Sequence, residues 1–478
     1  MARILFVQKD PFLRLGLMIL SGLLKEKGHV VGLLIEPAEK HILKSVQGFR
    51  PDVTGFSCTT GTEGWAVNLA RRIKERLETL TLMGGSHPTF FPEIIHKEGI
   101  DVICRGEGEH ALLELAEAVD DNVPFHDIQN LWVKKDGTTY QNPVRDLIED
   151  LDSLPFPDFS LYESYARLNP YYAHMFPVIA TRGCPSSCAY CYNCLYRKMV
   201  RGKGTYVRRR SPESLVAEIL VAKERHGARK LLIEDDSFLS DEKWFKAFHS
   251  LYVKTIDMPF TCQVEARTVT DERARLLKEM GCINVRIGIE TGDERLRREV
   301  LKKHVSTEEL RSAARIVKAN GMNLQSFNIF GLPGEDQEQA LKTYVLNREL
   351  RVDFVWTSLL QPYPGTEIFE YVKEAKLFEP GKLPSNAPES GIGSSYFDSS
   401  CIVLKDRRAI VNLQRLSQFF IRFRFPFFLV QRIIHIPENS LFLLLFRLNF
   451  AYSFRKVNRI PWRAFLLMGR AARHFSRA

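Results

Sequence analysis

The chain lacks any window of about 18 apolar residues, so a membrane-spanning helix is not expected. It lacks a disulfide framework too. Its nine cysteines are an odd number, and Cys184, Cys188, Cys191 and Cys194 crowd into one short stretch. Such crowding points to a reducing compartment and a metal site rather than a secreted scaffold. Residues Met1 to Gln8 begin a strand-like run and lack the length and cleavage site of a signal peptide. A cytoplasmic location is therefore expected. No H-E-x-x-H occurs, and Gly202-Lys203-Gly204 does not build a P-loop. Fixed-period repeats and low-complexity tracts are missing as well.

Acidic residues are scarce in only one region. From Cys401 to the end there are fifteen Lys/Arg and two Asp/Glu, a local charge of +13. The whole chain of 478 residues carries +10, so the rest stands at −3. The body is nearly neutral, and the tail calls for an anionic contact or a solvated basic face.

Residues 1–145 alternate short apolar runs with helix-like periods, which predicts an α/β domain with a parallel sheet and helices on both faces. Strands are expected at Ile4–Val7, Val30–Ile35, Val53–Ser57, Leu80–Met83 and Val102–Cys104, with a hairpin over Leu131–Lys134 and Thr139–Gln141. The turns after three of these strands, beginning at Ser57, Gly84 and Arg105, fall on the carboxyl edge, where open α/β sheets bind ligands. Residues 146–170 read as a proline-rich linker. Over 171–372 six further strand–helix units suit a partial (β/α)₆ barrel with its site at the carboxyl ends of the strands. Their strands are expected at Val178–Thr181, Lys230–Glu234, Phe260–Val264, Val285–Ile289, Leu324–Phe330 and Phe354–Leu360. Pro380 to Ser399 is expected to be irregular. Residues 373–478 form a C-terminal basic and apolar helical region.

The chemistry concentrates in Gly183-Cys184-Pro185-Ser186-Ser187-Cys188-Ala189-Tyr190-Cys191, which follows the first barrel strand. Three thiolates at C-x₃-C-x₂-C spacing can hold an iron–sulfur cluster with one iron open. Zinc is the plainer alternative, but no second Cys/His pair stands at finger spacing. Cys194 could add a fourth ligand and close the site, which would make an electron carrier instead of a catalyst.

This loop resembles the C-x₃-C-x-Φ-C signature of the radical S-adenosylmethionine (SAM) superfamily, with Tyr190 at the aromatic position. The resemblance implies a [4Fe–4S] cluster on Cys184, Cys188 and Cys191, SAM on the open iron, and cleavage of SAM to a 5′-deoxyadenosyl radical. Tyr190 would border the adenine. Glu234 or Asp235, in Ile233-Glu234-Asp235-Asp236, would receive the SAM amino group; alternatively Asp235 and Asp236 cap the next helix. Arg267 would meet the SAM carboxylate, unless it only pairs with Glu265 at the surface. Val285-Arg286-Ile287-Gly288-Ile289-Glu290 resembles the family's fourth-strand G-I-E motif. Gly288 would let the ligand approach, and Glu290 would face the ribose. Phe330-Gly331-Leu332-Pro333-Gly334-Glu335 resembles the turn beside the adenine, which brings in Phe330. Gln361-Pro362-Tyr363-Pro364-Gly365-Thr366 would line the substrate cavity.

Gly84-Gly85-Ser86-His87-Pro88-Thr89 and Arg105-Gly106-Glu107-Gly108-Glu109 resemble the cobalamin (B12)-binding-domain subgroup, which includes methylases of unactivated carbons and the anaerobic magnesium-protoporphyrin ester cyclase. Ser57, Thr59, Gly84, Gly85, Gly106 and Glu107 would then contact cobalamin in a doubly wound, Rossmann-like domain. No D-x-H-x-x-G is present, so no histidine is expected to ligate cobalt, and His87 is expected to anchor its own turn.

The resemblance implies a cobalamin-dependent methyltransferase acting on an unactivated carbon of a small-molecule or lipid-like substrate. A cyclase, oxidase or C–C coupling enzyme without functional cobalamin is the alternative, and a non-catalytic iron–sulfur electron-transfer protein the next. An external reductant such as flavodoxin or ferredoxin is implied. The Phe-, Leu- and Arg-rich tail is expected to lie on the inner face of a membrane. RNA binding and a lid over the barrel mouth are its other readings.

Overall fold

Strand β1 (Arg3–Gln8) is buried at every residue after its first, as a central parallel strand must be. It pairs on both sides in parallel, with β2 (Val30–Ile35) and with β3 (Val53–Ser57). β4 (Leu80–Gly84) and β5 (Val102–Cys104) continue the parallel sheet, and the hairpin β6 (Leu131–Lys135) and β7 (Thr138–Gln141) closes it antiparallel. The order is β2-β1-β3-β4-β5-β6-β7, which is doubly wound with its switch point between β1 and β3. Helices α1 (Leu15–Glu26), α2 (Ile42–Phe49), α3 (Glu63–Lys74), α4 (Ser86–Phe90) and α5 (Glu109–Asp120) cover it. Alternation along β1 sorts the two cores: Ile4 and Phe6 pack with Leu17 and Leu112, whereas Leu5 and Val7 pack with Val46 and Leu69. The computed structural model describes residues 1–10, 12–165, 175–380 and 400–466.

The expected linker folds back on this domain through two 3₁₀ turns, Leu151–Ser153 and Phe159–Tyr165. Asp158 accepts from Ser21 Oγ at 2.6 Å, and Tyr162 donates to Gln8 at 2.7 Å.

The second sheet starts at β8 (Phe176–Val178), earlier than the sequence pattern predicts. The chain leaves the sheet at Ala180, whose N–H goes to Asp235 at 3.1 Å and whose carbonyl takes the N–H of Arg210 at 2.9 Å. Thr181 and Arg182 therefore form β9 (Thr181–Arg182), paired only with β10 (Arg208–Arg209) in a separate ribbon. The sheet proper runs β8, β11 (Leu231–Ile233), β12 (Phe260–Val264), β13 (Cys282–Glu290), β14 (Asn323–Phe330) and β15 (Phe354–Leu359), all parallel. Between them lie α6 (Tyr192–Met199), α7 (Pro212–His226), α8 (Glu242–Thr255), α9 (Asp271–Glu279), α10 (Thr307–Ala319) and α11 (Gln337–Glu349), and α12 (Glu367–Glu374) follows β15. Local signals set these helices: Ser211 caps α7 ahead of Pro212, and Ser306 with Glu309 forms a capping box on α10.

Among the described residues the tail holds α13 (Arg407–Arg422), α14 (Phe427–Ile433) and α15 (Ser440–Val457). The stretch expected to be irregular lies largely outside the described residues, at 381–399. The tail is not a detached element. Gln418 accepts the Val355 N–H at 2.6 Å and Gln414 donates to the Thr357 carbonyl at 3.1 Å, so α13 caps the free edge of β15. Residues Thr261, Asn323, Phe354 and Trp356 share one face of the sheet by register. Phe450 packs on Phe354 and Trp356, while Asn323 donates to the Val457 carbonyl and Thr261 to Asn458. One side of α15 thus completes the open wall of the six-stranded barrel.

Candidate active site

The cysteine loop sits between the two sheets on the β9–β10 ribbon. Its entry needs glycine: Gly183 has φ 89°, and a Cβ there would collide with the Tyr206 carbonyl. The loop is then gripped along its length. Arg197 donates to the carbonyls of Cys184 and Ser186, the latter at 3.1 Å. Ala189 donates to the Leu301 carbonyl at 2.9 Å and accepts from the Ile368 N–H at 3.1 Å. Ser186 donates to Glu265.

Burial pushes the Cys184 thiol up to about 11 and the Cys191 thiol up to about 12, and raises Cys188 as well. The charge of Cys188 adds to the rise at Cys184, and the charges of Cys188 and Cys184 add to that at Cys191. Among the described residues no three His, Cys, Asp or Glu side chains converge as tightly as bound ligands. The fit to an iron–sulfur cluster rests on donor chemistry, three soft thiols on one short loop. Cys194 behaves differently. Its thiol donates to the Cys188 carbonyl at 3.2 Å, a bond that ties down the loop's own backbone.

A cavity of about 760 Å³ opens beside the loop. Cys191, Tyr192, Asn193 and Glu234 border it from the barrel side; Ser57, Gly84, Gly85, Gly106 and Glu107 border it from the carboxyl edge of β3, β4 and β5. Its wall continues over apolar Leu13, Leu17, Leu20 and Leu112. Size, apolar wall and side-chain-free glycine turns fit a large flat cofactor such as a corrin. Thr59 is not on this wall; its N–H bonds Thr62 Oγ1 inside its own turn at 3.2 Å. His87 does not face it either. It bonds Thr60 at 3.3 Å, and burial lowers its imidazole to about 4, so it stays neutral.

Several residues assigned to ligands from sequence meet protein partners instead. Glu107 takes Arg208 on both oxygens at 2.9 Å, Arg182 at 3.0 Å and the Ile148 N–H at 2.9 Å. Glu109 takes the other arm of Arg182. The Arg105–Glu109 turn is therefore a clamp on the ribbon that carries the cysteine loop. Asp235 is 1% exposed and braces Ala180, with burial raising its carboxyl to about 6; it does not reach the cavity. Arg267 is a surface group bonded to Glu265 at 2.7 Å. Phe330 is fully buried in the cluster that holds Leu359 and Ile410, because the alternation of β14 turns Phe327 and Ile329 to the other face.

Glu290 keeps a place beside the loop but is already paired. Lys303 Nζ lies 2.7 Å from its Oε1, and Tyr190 donates to the same oxygen at 3.0 Å. Glu290 holds φ 64° next to a register shift in β13. Gly288 serves this pair, since a Cβ there would overlap both Glu290 Oε1 and Lys303 Nζ. Glu234 remains open toward the cavity, with Arg286 4.0 Å away.

Reading the sequence alone missed Arg182, Arg208, Lys303, Arg286 and Tyr192. Arg182 and Tyr192 carried a signal in their adjacency to the cysteine motif, and Arg286 in its place within the fourth-strand motif. Tyr192 bonds Thr60 at 3.2 Å and stacks on Phe90 at 4.6 Å, bridging the loop to the first sheet.

A doubly wound domain facing a six-stranded partial barrel, with a three-cysteine loop at the seam, defines a class of cofactor-dependent α/β enzyme. Comparison with known proteins makes the class specific. A family model of the radical SAM superfamily matches residues 178–346, and one of the B12 binding domain matches residues 8–116. The chain is 30% identical over 370 residues to an uncharacterised methyltransferase of Pyrococcus horikoshii, covering 75% of this chain and 78% of the relative. It is 26% identical over 369 residues to the anaerobic magnesium-protoporphyrin IX monomethyl ester cyclase of Rubrivivax gelatinosus, covering 73% and 64%. In fold it is similar to the cobalamin-dependent SAM radical enzyme OxsB, with a TM-score of 0.68 at 17% identity, covering 95% of this chain and 72% of that one. The chain belongs to the radical SAM superfamily, in the branch that carries a B12-binding domain. It is a radical SAM enzyme whose cofactors are a [4Fe–4S] cluster, SAM and cobalamin.

Proposed function

We propose that the protein is a cobalamin-dependent methyltransferase acting on an unactivated carbon of a small-molecule or lipid-like substrate. The observation that carries this reading is the shared cavity. Cys191, Tyr192 and Asn193 form one wall, and the glycine turns of the B12-binding sheet form the other. Its apolar lining suits a substrate with little polarity and keeps water from a reactive centre.

In this reading the units are 1–145, a connection at 146–170, a barrel at 171–372 and the helical region at 373–478. Cys184, Cys188 and Cys191 hold the cluster, Ser57, Gly84, Gly85 and Gly106 border the corrin, and Glu234 receives the SAM amino group. Tyr190, Gly288 and Glu290 shape the nucleoside end. Bound there, the three groups supply an electron, a radical source and a methyl carrier. The chain's own work is positional. Arg197 holds the loop carbonyls, Lys303 holds Glu290 beside the loop, and the Glu107 clamp fixes the loop against the first sheet. The electron comes from an external reductant such as flavodoxin or ferredoxin.

The test is anaerobic reconstitution with iron, sulfide and hydroxocobalamin, followed by SAM. Retained corrin absorbance after desalting, with both 5′-deoxyadenosine and S-adenosylhomocysteine formed, supports methyl transfer. Deoxyadenosine without S-adenosylhomocysteine moves the assignment to cyclisation, oxidation or C–C coupling. Neither product would leave an electron-transfer protein, and Cys194→Ala would then reveal whether that thiol is a fourth ligand.

A further inference from the structure

The tail has a second face that the barrel does not use. Helix α15 buries Phe442, Phe446 and Asn449, yet Leu441, Leu444 and Leu448 on its other side are 57%, 50% and 57% exposed. A helix apolar all round is normally buried on every side or set in lipid. Helix α14 repeats the pattern: Val430 is buried while Phe427 and Phe428 point outward, with Phe423 exposed just before it. Both helices pack on α13 through one cluster that includes Val430, Ile434 and Phe442. Each helix therefore leaves an apolar side bare.

We propose that this face docks the enzyme on an anionic lipid bilayer, lying in the interface without crossing it. No helix among the described residues is long and apolar enough to span a membrane. The charges select the occupant. Arg424, Arg432 and Arg447 are exposed among the apolar side chains. The acids of the described tail are Asp406 and Glu438, and both are engaged: Asp406 accepts the Gln337 N–H at 3.0 Å and Glu438 pairs with Arg415 at 2.9 Å. A second copy of the chain would bring arginine against arginine. A leaflet of anionic headgroups offers apolar depth for Leu444 and Phe428 and counter-charge for the arginines at once. The proposal goes beyond the reaction and does not depend on it, because vesicle binding is read without SAM turnover.

The experiment is co-sedimentation of the full chain with vesicles of equal parts phosphatidylglycerol and phosphatidylcholine. Binding is expected there, weakened by salt, and at least about tenfold weaker on pure phosphatidylcholine. The triple variant Leu441→Glu, Leu444→Glu, Leu448→Glu should lose binding by on the order of 100-fold with unchanged circular dichroism and cluster loading. A second variant, Arg432→Ala with Arg447→Ala, leaves the apolar stripe alone and should weaken binding about tenfold. No binding to the anionic vesicles overturns the proposal. So does equal binding to both vesicle types, or a wild-type dimer in solution that the leucine variant turns into a monomer.

Discussion

Glu107 and Glu290 are the same residue on opposite sides of the same loop, and they are held in different ways. Glu107 lies on the first sheet's edge and spends both oxygens, on two arginines and a backbone N–H. Glu290 lies on the barrel and takes its two partners, Lys303 and Tyr190, on Oε1 alone. A saturated carboxylate at a seam between two sheets is a fastening. A carboxylate with one oxygen engaged, next to a cluster loop, keeps acceptor capacity for a ligand. Burial or motif membership does not separate the two; counting lone pairs does.

Breaking the fastening should give the largest effect. Glu107→Gln removes the counter-charge of Arg208, which is 3% exposed, and half of that of Arg182. Breaking a buried pair from one side costs about 3–5 kcal/mol. Denaturant unfolding of the cofactor-free chain would measure it, and a loss below about 1 kcal/mol would show that the turn is not a clamp. Lys303→Met breaks the barrel-side pair. The expected loss is about 3 kcal/mol, with SAM affinity falling as well, because Glu290 loses its counter-charge and keeps only the Tyr190 hydroxyl. Isothermal titration with SAM separates the two parts: an unchanged affinity would make Glu290 as purely structural as Glu107.

The sheets were largely legible in the sequence, and the contrast between the glutamates was not. Val30–Ile35, Val53–Ser57 and Phe260–Val264 are strands over the spans expected, because apolar runs between turn residues are a local property. The place of the cysteine loop just after the first barrel strand was likewise read from local order. Partners are another matter. Arg182 reaches Glu107 across 75 residues and Arg208 across 101, and nothing local announces either contact. The tail was only partly legible for a related reason. Its Phe and Leu content gave an apolar helix but not which side of α15 would close the barrel, which the register of β14 and β15 decides.

The first-sheet side has a weaker holding point that depends on a neutral group. His87 is lowered by burial from its ordinary value to about 4 and supports Thr60, which holds Tyr192. The folded chain binds this proton less readily than the unfolded one. Its contribution is therefore complete above about pH 6.5 and is lost as the pH falls toward 4, on the order of 2 kcal/mol across the window. His87→Gln should flatten that part of the stability–pH curve, and an unchanged slope would assign the acid loss elsewhere. On the barrel side, Gly288→Ala forces a methyl against the ends of Glu290 and Lys303. The cost should be about 1–2 kcal/mol and should shrink in a Lys303→Met background, since the lysine end is half of what the methyl meets.

The smallest effect is expected where the sequence placed a ligand contact and the structure places a surface pair. Arg267 is bonded to Glu265 with 44% of its side chain exposed. An exposed ion pair of this kind contributes at most about 1 kcal/mol. Arg267→Ala should therefore shift stability by no more than about 0.5 kcal/mol and leave SAM affinity within about twofold. A tenfold loss of affinity would mean that Arg267 swings from Glu265 to the SAM carboxylate on binding. The barrel side would then hold its ligand with a cation recruited from the surface.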